Sequence, residues 1–576
     1  LLLLYSIKDK ITHRMSWRAL YQPVLVLLIA TIFFSCKRKD KHNTANSDIY
    51  IKEDDRPLDK KIAEALSLKL QHPKPAENIN PGLFSLLRYY YAQNGNLPVW
   101  SKEGTWNKQS DELLRYLDTC IYEGLFKNDY HYYGLSELKN KLFTDSLKKM
   151  KPADWAKADI GFSAAFMQVL QDLAQGRLYG IKQLWYSDSS KYESFFVKYI
   201  NQFLKAGNLL VITQSIQPAH LGYINLKIGI KKFTDSMDKT MYTYLRFPYS
   251  SKDSLFFVKS FKKRLAESGI IFNNNLPDST VMQEAIKKYQ AKKLVKQDGK
   301  ISTALVRMMN NTDKEKLIRI AITLDKYKQL PEKFPDKYIW VNLPSFYLQL
   351  MSHDTVLMQS KIICGKSATP TPEITSFVDN LVTFPTWTVP SSIIEKEILP
   401  GLKKNPGYLA RKGLALYKHD GTPVNPYGIN WAKYSKGIPF KVMQSSGDEN
   451  ALGVMKFNFK NAHDVYLHDT NQRYLFKKNV RNLSHGCVRV QDWEQLAFYI
   501  ARNDSILYQP KDTLRYNTDS ITTWIRNEEM HKIAIKNKFP IFIRYFSCYF
   551  SGNNIKFYDD IYGNDVKLRE KYFALK

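Results

Sequence analysis

Residues 484–490 read Ser-His-Gly-Cys-Val-Arg-Val, and an earlier segment at 466–470 reads Tyr-Leu-His-Asp-Thr. A cysteine attacks a carbonyl carbon as its thiolate, which is the minor form of a free thiol at neutral pH. A nearby imidazole can accept the thiol proton if the ring is held in one tautomer and orientation. Cys487 and His468 are therefore a candidate nucleophile and general base, and their separation fits two neighbouring strands joined by a loop.

Gly486 supports this interpretation, because a glycine beside a nucleophile lets a substrate carbonyl approach the backbone closely. Backbone N–H groups aimed at the developing oxyanion are worth about 3–4 kcal/mol each. Other interpretations stay open: Cys487 could be a buried core thiol, and the histidines could be structural groups. A zinc site would use four residues whose spacings match no trusted zinc pattern: His463, His468, His485 and Cys487.

The composition is typical of a folded protein with several domains. The 576 residues are too many for one ordinary domain, so we expect three or four. Hydrophobic residues make up 44% and charged residues 24%, which excludes wholesale disorder. The mean hydropathy of −0.39 excludes a polytopic membrane protein.

The net charge limits the classes of binding partner, and the cysteine content bears on disulfide bonding. The net charge of +30 suits a polyanionic partner such as a cell-wall polymer, although a Lys-rich surface alone would also produce it. No zinc-finger or RNA-binding signature is present, so nucleic acid is discounted. The five cysteines are an odd number spread thinly along the chain, which does not suit a disulfide framework.

The first residues are expected to direct the chain out of the cytoplasm. The apolar stretch at 23–34 is shorter than the roughly 20 residues of a membrane-spanning helix and has the size of a signal-peptide core. The Phe-Phe-Ser-Cys sequence that ends at Cys36 resembles a bacterial lipobox, so we expect a signal and lipoprotein segment at 1–36 with lipid on Cys36. Plain secretion and an uncleaved anchor are the alternatives. The polar residues 37–57 are expected to form a flexible tether.

A helical scaffold domain is predicted at 58–250. Its clearest helix has an apolar face, and Gly176 stands where a C-cap would end that helix. The residues of this face recur at steps of four, three and four: Phe162, Phe166, Val169 and Leu173.

A smaller helical unit is predicted at 251–313, followed by a linker helix at 314–335. Its first helix is expected to bury Leu255, Val258, Phe261 and Leu265, and Thr280 with Gln283 predicts a capping box for the second. The Ala-Ile-Lys-Lys-Tyr-Gln run at 285–290 and the Asp-Gly-Lys-Ile run at 298–301 resemble the three-helix peptidoglycan-binding repeat. A helical spacer that binds nothing is the alternative.

From residue 336 the pattern indicates strands. Ile339, Val341 and Leu343 alternate with other residues, and a polar turn at 352–354 precedes a second apolar run, as in a β-hairpin. The Lys-, Gly- and Tyr-rich stretch at about 401–439 indicates an inserted flap. The sequence therefore predicts a multidomain α+β protein whose C-terminal domain, 336–576, is rich in β-structure.

The segment at 484–490, together with His468, resembles the signature of the L,D-transpeptidase (YkuD-like) family. Further stretches resemble the large Gram-negative subgroup of that family: 90–92, 98–100, 176–178, 341–344, 385–390, 450–453 and 560–563. The resemblance implies a helical scaffold, a small three-helix domain and a β-rich L,D-transpeptidase catalytic domain. It also implies that the insert is a capping loop over the acyl-enzyme.

The same resemblance assigns the site residues. Cys487 corresponds to the nucleophile, and His468 to a base oriented by a backbone carbonyl, that of Asp469. The N–H groups of Gly486 and Cys487 correspond to the oxyanion hole, in a turn shaped by His485. The substrate-binding side comprises Arg489, Tyr466, Trp387, Asp469 and Ser484.

The implied reaction is attack by Cys487 on the third residue of a peptidoglycan stem tetrapeptide, with loss of D-alanine and transfer of the acyl group to an amine. Transfer to water would make the protein a cell-wall cysteine peptidase, and a decayed site would make it a non-catalytic wall-binding scaffold. The resemblance implies acylation by carbapenems and requires no metal or organic cofactor. It places the protein in the periplasm of a Gram-negative bacterium, anchored to a membrane, where other cell-wall synthesis proteins are further candidate partners.

Overall fold

A computed structural model describes residues 56–72, 79–144, 151–178, 189–272, 278–506 and 516–573. All of them belong to one structural unit that begins at Arg56. The predicted lipoprotein segment with Cys36, and nearly all of the predicted tether, lie outside the described residues. Within these ranges, no helix combines the length and the apolar character needed to cross a bilayer.

The scaffold region is helical, as predicted, with one short hairpin. Its helices are α1 (Leu58–Gln71), α2 (Pro81–Gln93), α3 (Lys108–Thr119), α4 (Tyr132–Thr144), α5 (Pro152–Gln175), α6 (Ser189–Ala206), α7 (Leu209–Ser215) and α8 (Leu221–Ser236), and its strands are β1 (Ser101–Lys102) and β2 (Thr105–Trp106). The helix α5 lies at the centre of the core, with Phe162, Phe166 and Leu173 fully buried. It ends at Gly176, whose positive φ of 76° favours glycine.

The small unit contains three helices: α9 (Ser254–Glu267), α10 (Asp278–Lys292) and α11 (Thr303–Asn310). The face of α9 differs from the prediction, since Leu255 is 84% exposed and Phe257 takes part in the core instead. The predicted capping box is also wrong, because Thr280 lies inside α10. Leu245 packs in the same core and exchanges backbone hydrogen bonds with the Asn310 side chain, so the unit begins before residue 251.

The next helix, α12 (Asp313–Tyr327), was predicted as a linker, and the structure places it in the core instead. One of its faces, with Ile320 and Leu324, packs on α8 and on Cys548 near the C-terminus. Another face, with Ala321 and Ile322, packs on Leu178 and Phe573. A pattern of apolar residues predicts a helix but does not say what covers it.

A buried ion-pair cluster joins this helix to the scaffold. Asp325 accepts from Arg177 Nε at 3.0 Å and from Lys328 Nζ at 2.9 Å. Burial alone would raise the pKa of Asp325, but the charges of Arg177 and Lys328 outweigh it and hold that pKa below its usual value. The stabilisation is therefore present above the ordinary carboxyl pKa and is lost as the pH falls and Asp325 becomes protonated.

Asp325→Asn is expected to destabilise the protein, because the amide keeps the shape of the carboxylate and removes the charge opposite Arg177. Breaking one side of a buried ion pair costs about 3–5 kcal/mol. The urea unfolding midpoint of the full chain measures this change. Asp235→Asn is the control, since Asp235 pairs with Lys231 on the surface and its loss is expected to leave the midpoint unchanged. Equal midpoints for the two variants would contradict a stabilising role for the buried cluster.

The C-terminal region is β-rich, as predicted. Its strands are β3 (Lys337–Asn342), β4 (Tyr347–Ser352), β5 (Thr355–Gly365), β6 (Ile374–Thr383), β7 (Trp387–Thr388), β8 (Leu414–Tyr417), β9 (Pro423–Val424), β10 (Lys441–Gln444), β11 (Met455–Phe459), β12 (Leu467–His468), β13 (Asn482–Ser484), β14 (Val488–Val490), β15 (Lys532–Arg544), β16 (Cys548–Ser551) and β17 (Asn554–Phe557). The main sheet has the order β13-β5-β14-β12-β11-β6-β15-β3-β4. Because β4 also pairs with β5, eight of these strands form a closed ring around an apolar core.

Helices complete this region. They are α13 (Ser391–Ile393), α14 (Leu399–Lys404), α15 (Trp493–Ile506), α16 (Thr518–Arg526) and α17 (Asn564–Tyr572). The hairpin of β16 and β17 packs on α8, where an added Cβ on Gly229 would lie 2.4 Å from the Phe550 ring. That close approach requires glycine.

The inserted segment is a folded subdomain, which we call the cap. Its four strands form the sheet β7-β10-β8-β9, and a π-helical turn at Ile394–Ile398 joins α13 to α14. The cap has its own apolar core, which includes Leu402, Leu416 and Trp431. The predicted insert at 401–439 lies within the cap, but the folded unit spans 387–444, because β7 and β10 pair to close its sheet.

Candidate active site

Cys487 lies in the turn between β13 and β14, next to the strand that carries His468. The strands β12 and β14 are parallel neighbours, with His468 aligned with Arg489, and Val488 N–H donates to the Tyr466 carbonyl at 3.1 Å. The nucleophile and base candidates are thus brought together by adjacent strands, as the sequence predicted.

The turn before Cys487 is held by its own side chains. Gly486 has a φ of 129°, which favours glycine, and an added Cβ would point into open space. Ser484 Oγ accepts from Gly486 N–H at 3.2 Å and donates to the Cys487 carbonyl at 2.6 Å. The hydroxyl of Ser484 is thus engaged with the backbone of the turn, and the assignment of Ser484 to substrate binding stays a prediction.

The same hydrogen bond to Ser484 also changes the predicted oxyanion hole, because it occupies one of the two N–H groups assigned to it. Gly486 N–H is bonded to Ser484, whereas Cys487 N–H donates to none of the residues that the structure describes. In this state the N–H group open to a substrate oxygen is that of Cys487.

The loop that follows β5 holds the turn at Gly486 in place through hydrogen bonds. Thr371 Oγ1 donates to the Gly486 carbonyl at 2.7 Å and accepts from Gly365 N–H at 2.9 Å. Tyr562 in turn donates to the Gly365 carbonyl at 2.8 Å. Sequence reasoning missed Thr371, which stands among prolines and carries no periodic signal.

Eight of the nine predicted catalytic and substrate-binding residues line one cavity of about 560 Å³. They are Trp387, Tyr466, His468, Ser484, His485, Gly486, Cys487 and Arg489. The cap contributes further lining residues, among them Pro390, Ile393 and Lys396. The groove beside the sulfur is therefore built by the catalytic sheet on one side and by the cap on the other.

Asp469 is the exception, and its assignment to substrate binding is wrong. Its side chain is fully buried, accepts from Val454 N–H at 3.1 Å and pairs with Arg473. An added Cβ on Gly453, whose φ is 60°, would lie 2.2 Å from the Asp469 carboxylate. Asp469 thus fixes the backbone at the start of β11, on the side away from the cavity.

His468 is buried and uncharged. Burial lowers its pKa to about 3, and the charges of Arg489 and Lys456 act in the same direction. The backbone carbonyls of Asp469 and Leu452 oppose this shift, although Nδ1 makes no well-formed hydrogen bond within the described residues. The neutral ring can accept a proton, and its orientation by the Asp469 carbonyl stays a prediction.

Cys487 is half-buried and faces the cavity. Burial raises the pKa of its thiol, while hydrogen bonding to Tyr466 and the charges of Lys456 and Arg489 lower it. Cys487 Sγ lies 3.8 Å from the Asp464 carbonyl oxygen, and the two predicted aromatic residues, Tyr466 and Trp387, line the same cavity. The resting pair is therefore a thiol beside a neutral imidazole.

Two charged residues at the site escaped sequence reasoning. Glu397, in the π-helical turn of the cap, lies 2.5 Å from His485 Nε2, so His485 links the catalytic turn to the cap. Lys456 on β11 stands opposite His468, with Nζ 4.0 Å from the centroid of the Tyr466 ring. Glu397 lies in a segment without a clear pattern, and Lys456 alternates with apolar residues as on any half-buried strand.

The other three cysteines that the structure describes lie away from the cavity. Cys120, Cys364 and Cys548 are buried in apolar cores, where burial raises the pKa of each to about 12. Across the described ranges, no three His, Cys, Asp or Glu side chains are grouped so that they could hold a metal ion.

Comparison with known proteins agrees with the geometry. A Haemophilus influenzae protein named as a candidate L,D-transpeptidase is 31% identical over 259 residues, which are 45% of this chain and 50% of that protein. The chain thus spans about half the length of this curated relative.

Solved structures give weaker likenesses. The catalytic domain of an Enterococcus faecium L,D-transpeptidase acylated by ertapenem is 13% identical, covers 37% of this chain and 99% of its own, and has a TM-score of 0.17. An L,D-transpeptidase from Mycobacterium smegmatis is 13% identical, covers 36% of this chain and 58% of its own, and has the same TM-score.

Two family models match separate parts of the sequence. Residues 85–229 match the Scaffold domain, and residues 336–507 match the L,D-transpeptidase catalytic domain. The second match contains the cavity, the catalytic turn and the strand of His468. The chain therefore contains one region that is similar to the YkuD L,D-transpeptidase catalytic domain and another that is similar to the Scaffold domain.

Proposed function

We propose that this protein is a peptidoglycan L,D-transpeptidase in which Cys487 is the nucleophile and His468 the general base. The observation that carries the proposal is the shared cavity, into which a cysteine, a neutral histidine and an open backbone N–H group all face. Each of these groups has a chemical task in acyl transfer.

In the first half-reaction, the Cys487 thiol gives its proton to His468 as its sulfur attacks the carbonyl carbon of the third residue of a stem tetrapeptide. The Cys487 N–H group receives the developing oxyanion. The carbon–nitrogen bond to D-alanine then breaks, and the leaving amine takes the proton from the imidazolium. A thioester between Cys487 and the stem peptide remains.

In the second half-reaction, His468 takes a proton from the side-chain amine of the third residue of another stem. That amine attacks the thioester, forms an amide cross-link between two third-position residues, and releases the Cys487 thiolate, which recovers the proton. The cap supports transfer over hydrolysis, because a covered thioester meets fewer water molecules.

The test is incubation of the full chain with purified tetrapeptide muropeptides and identification of products by mass spectrometry. We expect cross-linked dimers and free D-alanine. Tripeptide monomers alone would indicate a carboxypeptidase that transfers the acyl group to water, and an absence of both products would contradict the proposal.

We also propose a location and a role for the remaining parts. The lipobox-like sequence at Cys36 supports attachment to a membrane of a Gram-negative bacterium, with the folded residues in the periplasm. The resemblance of α9–α11 to a peptidoglycan-binding repeat supports a contact of that unit with the cell wall, where other cell-wall synthesis proteins would be neighbours.

A further inference from the structure

Lys456 is a half-buried lysine at the active site whose charge has no acidic partner. None of the carboxylates that the structure describes lies within 4 Å of its ammonium group. Its contact is the face of the Tyr466 ring, with Nζ 4.0 Å from the centroid, and its partner across the strand pair is His468. A cation on an aromatic ring is attractive, but the attraction is smaller than that of a counter-ion.

Burying an ammonium group without a counter-ion is unfavourable, and burial accordingly lowers the pKa of Lys456. The group that acts in the opposite direction is Cys487, whose negative form would favour the charged lysine. The effect is reciprocal, since the charge of Lys456 favours the thiolate of Cys487. The anion that this lysine lacks in the resting protein is thus supplied when the cysteine ionises.

We propose that Lys456 is a positioning residue that stabilises the Cys487 thiolate from behind the Tyr466 ring. The inference rests on the proposed function only in taking Cys487 as the nucleophile. Tyr466 stands between Lys456 and the cavity, because its ring lies against the ammonium group and it lines the cavity together with Cys487.

The placement of Lys456 distinguishes this role from substrate binding. Arg489, the other cation beside Cys487, lines the cavity and can meet a carboxylate of the substrate. Lys456 is not among the cavity-lining residues, and its ammonium group lies against the Tyr466 ring, which does line the cavity.

The surrounding charges affect the protonation states of Cys487 and His468. The titratable and charged groups around the sulfur are Lys456, Arg489, His468, Tyr466, Asp464, His463, His485 and Lys396. Lys456 and Arg489 favour a thiolate and disfavour an imidazolium on His468. The two cations therefore stabilise a negative charge on Cys487 when it forms and oppose a positive charge on His468.

The test is the pH dependence of alkylation of Cys487 by iodoacetamide in the full chain, followed by mass spectrometry of the peptide that contains Cys487. Lys456→Met keeps the length of the side chain and removes the charge. We expect the thiol pKa to rise in this variant, so that the alkylation rate at pH 7 falls about tenfold. Lys456→Arg is expected to retain most of the wild-type rate, because it restores the charge.

Lys460→Met is the matched control, since Lys460 is exposed just beyond the same strand and should leave the profile unchanged. Labelling of the buried Cys120 reports any unfolding, in which case Lys456→Gln is measured instead. A profile for the uncharged variant that superimposes on the wild-type profile would overturn the proposal. Because the readout is thiol reactivity, failure of the cross-linking assay would not change this result.

Discussion

Cys487→Ala is expected to lower the rate of product formation from tetrapeptide muropeptides by about 10⁴-fold or more, with both dimers and tripeptides lost together. The methyl group has no nucleophilic atom, and every route from the substrate passes through the thioester. The cavity and its other groups remain, so binding of the muropeptide is expected to persist. Mass spectrometry of the products over time measures the rates.

Cys120→Ala is the control for this substitution, because Cys120 is buried in the scaffold core and has no contact with the cavity. It is expected to retain the wild-type rate after correction for the folded fraction. Product formation by Cys487→Ala at the wild-type rate would show that another group attacks the substrate.

His468→Asn is expected to lower kcat/KM by about 10²–10⁴-fold, the usual contribution of a general base. The amide side chain fits the space of the ring but takes up no proton near neutral pH.

The pH dependence of kcat/KM for the wild type provides a second test of His468. Because the pKa of His468 is lowered to about 3, the ring is neutral throughout pH 5–8. We therefore expect no loss of kcat/KM from imidazole protonation near pH 6.5.

His353→Asn, in the exposed turn between β4 and β5, is the control and is expected to leave both kcat/KM and its pH profile unchanged. An acid limb centred near pH 6.5 that disappears in His468→Asn would mean that the ring is more solvated than its burial indicates.

The sequence predicted that Cys487 and His468 share one cavity, because the chemistry of a cysteine nucleophile leaves few residue types and a short motif. It was wrong about Asp469 for a physical reason. Neighbouring residues on a strand point to opposite faces, so proximity to His468 in the chain does not place Asp469 in the cavity. Ser484 stands in the correct turn, but whether a hydroxyl meets the substrate or the backbone depends on the conformation of the turn.

The fold was predictable where a local pattern sufficed and less so where long-range packing decides. The stripe on α5 predicted a helix face that is indeed buried. The insert was recognised by composition, but its limits depend on the pairing of β7 with β10, which are far apart in sequence. Lys456 and Glu397 were missed because the importance of each depends on a partner from another strand or from the cap.

The position of α12 has a consequence for how the protein can be divided. Its apolar residues are covered on one side by α8 and on the other by Phe573, while Cys548 lies against it from the end of the catalytic region. A fragment that begins at residue 336, where the family match begins, would lack α12 and would expose Cys548 and Phe573, which pack on it. We therefore expect the smallest fragment of this region that folds alone to retain α12 together with the scaffold residues that pack on it.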